Sequence, residues 1–218
     1  MRKKISLILI IALLISSSSF AFNQENIIEK VKNSEKINEW GVIALENADA
    51  STKDIDLKEM DLNSITTDYE KRLLALLFQE KKVDDYINKI KDSQLKNGKL
   101  ADRIDGNGDE LLNSHIWGII SLYAAGENIS ELEQAKNWLL KNQLKDGSFP
   151  IYLNDEMGNL DMTAMAIIAL NCLDVKKDNE KVAKAFDYLY ENIEFKESSE
   201  SLVWIILANI TYGKSNKK

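Results

Sequence analysis

The chain has 218 residues and a net charge of −7, and since a domain usually has roughly 100–200 residues, we expect one domain. Hydrophobic residues make up 44% of it, against one proline and nine glycines, which excludes a disordered or collagen-like chain and favours helices. An acidic chain without a basic stripe is also a poor candidate for nucleic-acid binding, and one His with one Cys excludes an ordinary zinc cluster.

Residues 1–21 have the pattern of a secretory signal peptide. A cationic start at 2–4 precedes an apolar run at 5–15, and the small residues Ser19 and Ala21 fit a cleavage site. The run is too short to cross a bilayer, which takes about 20 residues, although an uncleaved anchor remains an alternative. Cleavage removes three cations and no anion, so the net charge becomes −10. We predict an exported protein, periplasmic, cell-surface or extracellular, with one domain at 22–213, a basic tail at 214–218 and no transmembrane segment after cleavage.

Four later segments share one apolar pattern, in which a large residue is followed four places later by a small one. They begin at Trp40, Trp117, Met165 and Trp204. Because residues i and i+4 lie on one helix face, each helix presents a bulky side chain beside a small one. These segments are apolar nearly all round and are predicted as inner helices. Four amphipathic segments are predicted as outer helices, at 69–80, 83–95, 130–144 and 179–192.

The turns between these helices repeat as well. Gln94–Gly98 and Gln143–Gly147 have related sequences and lie 49 residues apart, and the buried helices that follow, aligned at His115 and Thr163, lie 48 apart. A period near 50 residues with two helices per unit indicates a helical repeat array.

Two motifs carry a resemblance to a known family. Lys141–Phe149 resembles the Q-x-x-D-G-G/S-F/W repeat of the prenyltransferase and squalene-cyclase superfamily, and Asp161–Ala166 resembles the D-x-T-A-M-A start of its inner helices. The segment order over about 36–213 is similar to that of exported bacterial transcobalamin-like domains. The resemblance implies an all-α fold, an α/α toroid. The sequence pattern indicates about nine helices, which is short of a complete ring. Parallel inner helices would surround a central cavity, with antiparallel outer helices behind them.

The chemistry of the superfamily is not preserved in the matching residues. Squalene-type cyclases use a D-x-D-D cluster, of which this chain has only Asp161, flanked by Asn159 and Met162. The alternative role for Asp161 is to cap the first turn of its helix. Prenyltransferases hold zinc through Asp, Cys and His, but Asp161 and Cys172 are eleven residues apart, about 16 Å along a helix. We therefore predict no catalytic residue, no cofactor and no zinc.

One acidic loop has part of a calcium-binding pattern. Asp105, Asn107 and Asp109 have the 1-3-5 spacing of a calcium loop, but Glu110 and Ile116 occupy the positions of the conserved Gly and Glu of that motif. We favour a solvated loop and keep weak calcium binding as a hypothesis.

The predicted function is a non-enzymatic ligand-binding or protein-interaction domain whose partner is an unknown small molecule or protein. In a toroid the N-terminal ends of the inner helices meet on one rim, where helix N-termini and aromatic side chains can bind a ligand. For His115 a structural, hydrogen-bonded role is the alternative. Other functions left open are an enzyme, either a degenerate terpene cyclase or a polysaccharide-active barrel with Asp161 paired to Glu200 or Asp109, and a scaffold for protein contacts. The candidate ligand-binding residues are Trp40, His115, Trp117, Phe149, Asp161 and Trp204.

Overall fold

The computed structural model describes residues 24–34, 37–60, 65–193 and 198–215. The predicted signal peptide lies outside these residues, as do residues 216–218 of the predicted tail. The described part is all-α, as predicted, with nine helices and no strand. The helices are α1 Gln24–Lys32, α2 Glu39–Asn47, α3 Thr66–Phe78, α4 Asp84–Asp92, α5 Leu112–Ala125, α6 Leu132–Lys141, α7 Leu160–Cys172, α8 Glu180–Asn192 and α9 Ser199–Ser215.

The helices form a central row with a flanking row. Helices α3, α5, α7 and α9 pack against one another in that order, and α2 packs against α3. In the flanking row α4 contacts α3 and α5, α6 contacts α7, and α8 contacts α7. The main apolar core joins these two rows, because buried residues of α3 to α9 form one continuous cluster.

Helix α3 belongs to the central row, so its prediction as an amphipathic outer helix was wrong. Glu70 and Arg72, two polar residues of the predicted segment, are buried, and so is Thr66 at the start of the helix. The Thr66 hydroxyl donates to the Ala101 carbonyl at 2.6 Å, and the Arg72 guanidinium lies 2.8 Å from a Glu39 carboxylate oxygen. Partners from other segments therefore offset much of the cost of burying Thr66 and Arg72.

Hydrogen bonds between loops place the N-terminal ends of the central helices side by side. The N–H of Thr66, the first residue of α3, donates to the Asp102 carbonyl at 2.9 Å. The N–H of Leu112, the first residue of α5, donates to Ile151 at 3.1 Å, in the loop before α7. At the other end, the Tyr212 hydroxyl of α9 donates to Val175, just after α7, at 3.0 Å. Neighbouring central helices therefore run parallel.

The turn repeat is reproduced in hydrogen-bonding detail. The Gln94 and Gln143 amides donate to the Gly98 and Gly147 carbonyls at 3.0 and 2.8 Å. Both glycines have left-handed backbones, with φ of 95° and 92°. A Cβ at Gly98 would lie 2.4 Å from the Gln134 carbonyl carbon, and one at Gly147 would lie 2.2 Å from the Lys184 oxygen. Glycine is therefore needed at each position for two reasons: its backbone is left-handed, and the next flanking helix approaches it too closely for a side chain.

Candidate functional site

Three of the four tryptophans form a cluster contributed by three helices, which we call the tryptophan cluster: Trp40 of α2, Trp117 of α5 and Trp204 of α9. The centroid of the Trp117 ring lies 5.7 Å from that of Trp40 and 5.6 Å from that of Trp204. The interplanar angles are 64° and 83°, which is the edge-to-face arrangement that aromatic pairs prefer. Trp40 is 44% exposed and the other two are half-buried, so the cluster offers aromatic surface to a ligand.

The predicted pairing of a bulky and a small residue explains how α5 and α9 present these rings. Ala208 lies one turn after Trp204 and is fully buried, so α9 packs closely there. On α5, Ser121 lies one turn after Trp117 and is also fully buried. Gly118 leaves room for the Leu100 side chain, whose Cδ1 would lie 2.2 Å from an added Cβ. The same pattern in α7 places Met165 in the core, where it is 5% exposed.

His115 lies on the other side of α5, against the flanking row. Its Nδ1 accepts from the Leu100 N–H at 3.0 Å, so Nε2 carries the proton and donates to the Ala135 carbonyl, also at 3.0 Å. The Trp138 ring packs edge-on at 4.6 Å. Burial, with a smaller contribution from the Lys99 charge, lowers the pKa of His115 to about 3 despite the hydrogen bond to Ala135. These contacts favour the structural alternative for this residue.

Phe149 follows the second glycine turn, and Asp161 lies in the first turn of α7. Phe149 is fully buried, and its N–H donates to Thr163 Oγ1 at 2.9 Å. The predicted capping role of Asp161 falls to Asn159, whose side-chain oxygen accepts from the Met162 N–H at 2.9 Å. Asp161 is half-buried, and its Oδ1 has no hydrogen-bond partner among the described residues. Of the six candidates, the structure thus brings together Trp40, Trp117 and Trp204.

A buried ion pair that was not predicted from the sequence supports the loop before α5. The Lys99 side chain is fully buried and pairs with Asp102. Burial lowers the pKa of Lys99, and Asp102 partly offsets this effect. Burial alone would raise the pKa of Asp102, but hydrogen bonds from Lys99, Ser114 and Leu111 outweigh it and lower the pKa. Asp102 is therefore a structural carboxylate that holds the loop to the start of α5.

Glu70, on α3, is a buried carboxyl group of a different kind. It is fully buried at the α3–α5 contact, and neither carboxyl oxygen has a hydrogen-bond partner in the described structure. Burial raises the pKa of Glu70 well above its ordinary value despite the opposing Lys71 and Lys99 charges, so the neutral acid is favoured. A glutamate in an amphipathic pattern is usually exposed, which is why this residue was missed.

In the acidic loop, an aspartate side chain accepts a hydrogen bond from the loop's own backbone. The Asp105 Oδ1 accepts from the Asn107 N–H at 3.1 Å, and the other oxygen lies 3.5 Å from Arg103 Nε. Across the described ranges, no group of three or more His, Cys, Asp or Glu side chains is arranged to hold a metal ion. Weak calcium binding by Asp105, Asn107 and Asp109 stays a prediction.

Two further features are a groove beside α2 and a buried thiol. A groove of about 330 Å³ runs between α1 and α2 and is lined by Ile27, Lys30, Val31, Ser34, Ile37, Asn38 and Gly41. The Cys172 thiol is buried, and burial raises its pKa to about 12, which disfavours the reactive thiolate. None of the helices in the described part of the chain is both long and apolar enough to cross a bilayer.

Comparison with protein-family models and with curated proteins finds no match to this chain. The resemblance to the prenyltransferase and squalene-cyclase superfamily therefore stays a prediction from the sequence motifs.

Proposed function

We propose that this chain is an exported, non-enzymatic ligand-binding or protein-interaction domain with an incomplete α/α toroid fold of the prenyltransferase and squalene-cyclase type. The parallel central row with its flanking row supports this fold. Curvature is supported by the tryptophan cluster: α3 lies between α2 and α5, and α7 between α5 and α9, yet Trp40 and Trp204 both reach Trp117. Rings from alternate helices meet most readily on the concave side of a bent row.

The tryptophan cluster is the observation that carries the binding function. Its rings come from helices far apart in the sequence, and 44% of the Trp40 surface is exposed although apolar partners lie beside it. Clustered, partly exposed aromatic rings offer a large apolar area with little loss of side-chain freedom on binding. The expected ligand is a molecule or protein side chain with a sizeable apolar or aromatic face.

A non-enzymatic role is supported by the positions of the acidic groups. Asn159, which replaces the first aspartate of the cyclase cluster, caps α7. Glu70 favours the neutral form that a proton donor needs, but it is fully enclosed, so a substrate has no access to it. Asp109 and Glu200 are exposed residues at the surface.

Native mass spectrometry of the exported protein tests the proposal. We expect a copurified molecule on the wild-type protein and its loss from Trp40→Ala. Tyr190→Ala is the matched control, because Tyr190 is an exposed aromatic residue on α8, 58% exposed, that is not part of the cluster. Equal retention by Trp40→Ala, or a wild-type protein without any bound molecule, would contradict the proposal.

A further inference from the structure

The loops before α3, α5 and α7 join into a continuous surface at the N-terminal ends of these helices. Ile65 pairs with Arg103, and Leu111 pairs with Tyr152, both in antiparallel bridges. The Leu153 N–H also donates to the Glu110 carbonyl at 2.9 Å. We call residues 65–66, 101–112 and 150–157 the loop belt.

Large apolar side chains are exposed on the loop belt. Met157 is 81% exposed, Tyr152 52%, Ile65 48% and Ile151 40%. The fold does not require this apolar character at 151–152. Leu100 and Phe149 hold equivalent places in the two repeats, since their N–H groups bond to His115 and Thr163, so Ile151 and Tyr152 correspond to the polar Asp102 and Arg103. Exposed apolar side chains that lie together on one surface mark interaction surfaces.

The charge of the loop belt is one-sided. Its exposed carboxylates are Asp105, Asp109, Glu110, Asp155 and Glu156. Among the belt's residues the one cationic side chain is Arg103, and it lies 3.5 Å from Asp105. Apart from Asp105, the carboxylates around the apolar side chains therefore have no cationic partner among the belt residues.

We propose that the loop belt is a docking surface for a basic, partly apolar peptide segment of a partner protein. Lysine or arginine side chains of such a segment pair with the carboxylates, and its apolar side chains cover Tyr152 and Met157. Charge complementarity speeds the encounter and selects the partner, while the apolar contacts slow dissociation. This surface consists of residues other than the tryptophan cluster, so it goes beyond the ligand site proposed above and can fail independently of it.

Fluorescence anisotropy with a labelled synthetic peptide of alternating lysine, leucine and serine residues tests the proposal. We expect binding at low salt that weakens at about 0.5 M salt, and no binding of the same peptide with glutamate in place of lysine. Tyr152→Ser/Met157→Ser and Asp155→Asn/Glu156→Gln should each weaken binding by at least about fivefold.

The matched control is Asp174→Asn/Asp178→Asn, which removes as many charges from the loop after α7, away from the belt. Unchanged binding by this control supports a defined surface. The proposal is overturned by absence of binding, by equal binding of the glutamate peptide, or by an equal loss in the control, which would mean attraction to net charge alone. Circular dichroism of each variant confirms that the helices remain folded.

Discussion

Two ionisable side chains are buried in the interior, one with hydrogen-bond partners and one without them. His115 has a partner on each ring nitrogen, whereas Glu70 has none on either oxygen. A buried polar group with partners stabilises the native state, and one without them costs free energy. The two residues therefore make opposite predictions for stability.

Replacing Glu70 with Gln should stabilise the domain at neutral pH but not under acidic conditions. The pKa of Glu70 is raised in the native state, so above its ordinary value near 4.5 the unfolded chain loses this proton more readily. The free energy of unfolding of the wild type therefore falls as the pH rises, whereas that of the Gln variant does not, because Gln has no titratable proton. Urea unfolding should show a gain of at least about 1 kcal/mol at pH 7.5 and little difference near pH 4. A loss of stability at both pH values would contradict a neutral, unpartnered Glu70.

Replacing His115 with Ala should destabilise the domain by about 2–4 kcal/mol at pH 7.5, since Leu100 N–H and Ala135 C=O would lose their partner in the core. The native pKa lies near 3, against 6.5 in an unfolded chain, so the neutral imidazole contributes stability above pH 6.5. That contribution is lost as the pH falls from 6.5 towards 3, and the difference between wild type and variant should shrink in acid. An NMR titration showing that His115 takes up its proton near pH 6.5 would refute this burial.

At the scale of helices and turns, the glycine turns fix how each flanking helix meets the repeat before it. Gly98→Ala and Gly147→Ala should each cost at least about 2 kcal/mol, because a Cβ would meet the backbone of α6 or α8 on top of the left-handed strain. Gly106→Ala is the matched control, since its φ is 83° but no atom lies within 4 Å of the added Cβ, so only about 1 kcal/mol is expected. Thermal melting would refute structural equivalence of the repeats if just one of the two turn variants lost stability.

The turns and the tryptophans were predictable because their physical requirements recur at a fixed spacing. Gly98 and Gly147 lie in sequences with the same side-chain donors and acceptors, and Trp117 and Trp204 share the same position in their helices. The position of α3 was not predictable, because the partners of Thr66 and Arg72 lie in other segments. Glu70 could not be identified for the same reason, since its burial depends on how closely α3 approaches Gly118.

For the molecule as a whole, the central proposal is that the helical row brings Trp40, Trp117 and Trp204 onto one ligand-binding surface, while Trp138 serves the core. Trp138 is 8% exposed and packs on His115, so it is an internal reference for the other three. Fluorine NMR of the fluorotryptophan-labelled protein, titrated with the apolar dye anilinonaphthalene sulfonate, resolves these four rings in one experiment. We expect the resonances of Trp40, Trp117 and Trp204 to shift together while that of Trp138 stays in place. Shifts confined to Trp138, or no shift of the three clustered rings at saturating dye, would contradict the proposed site.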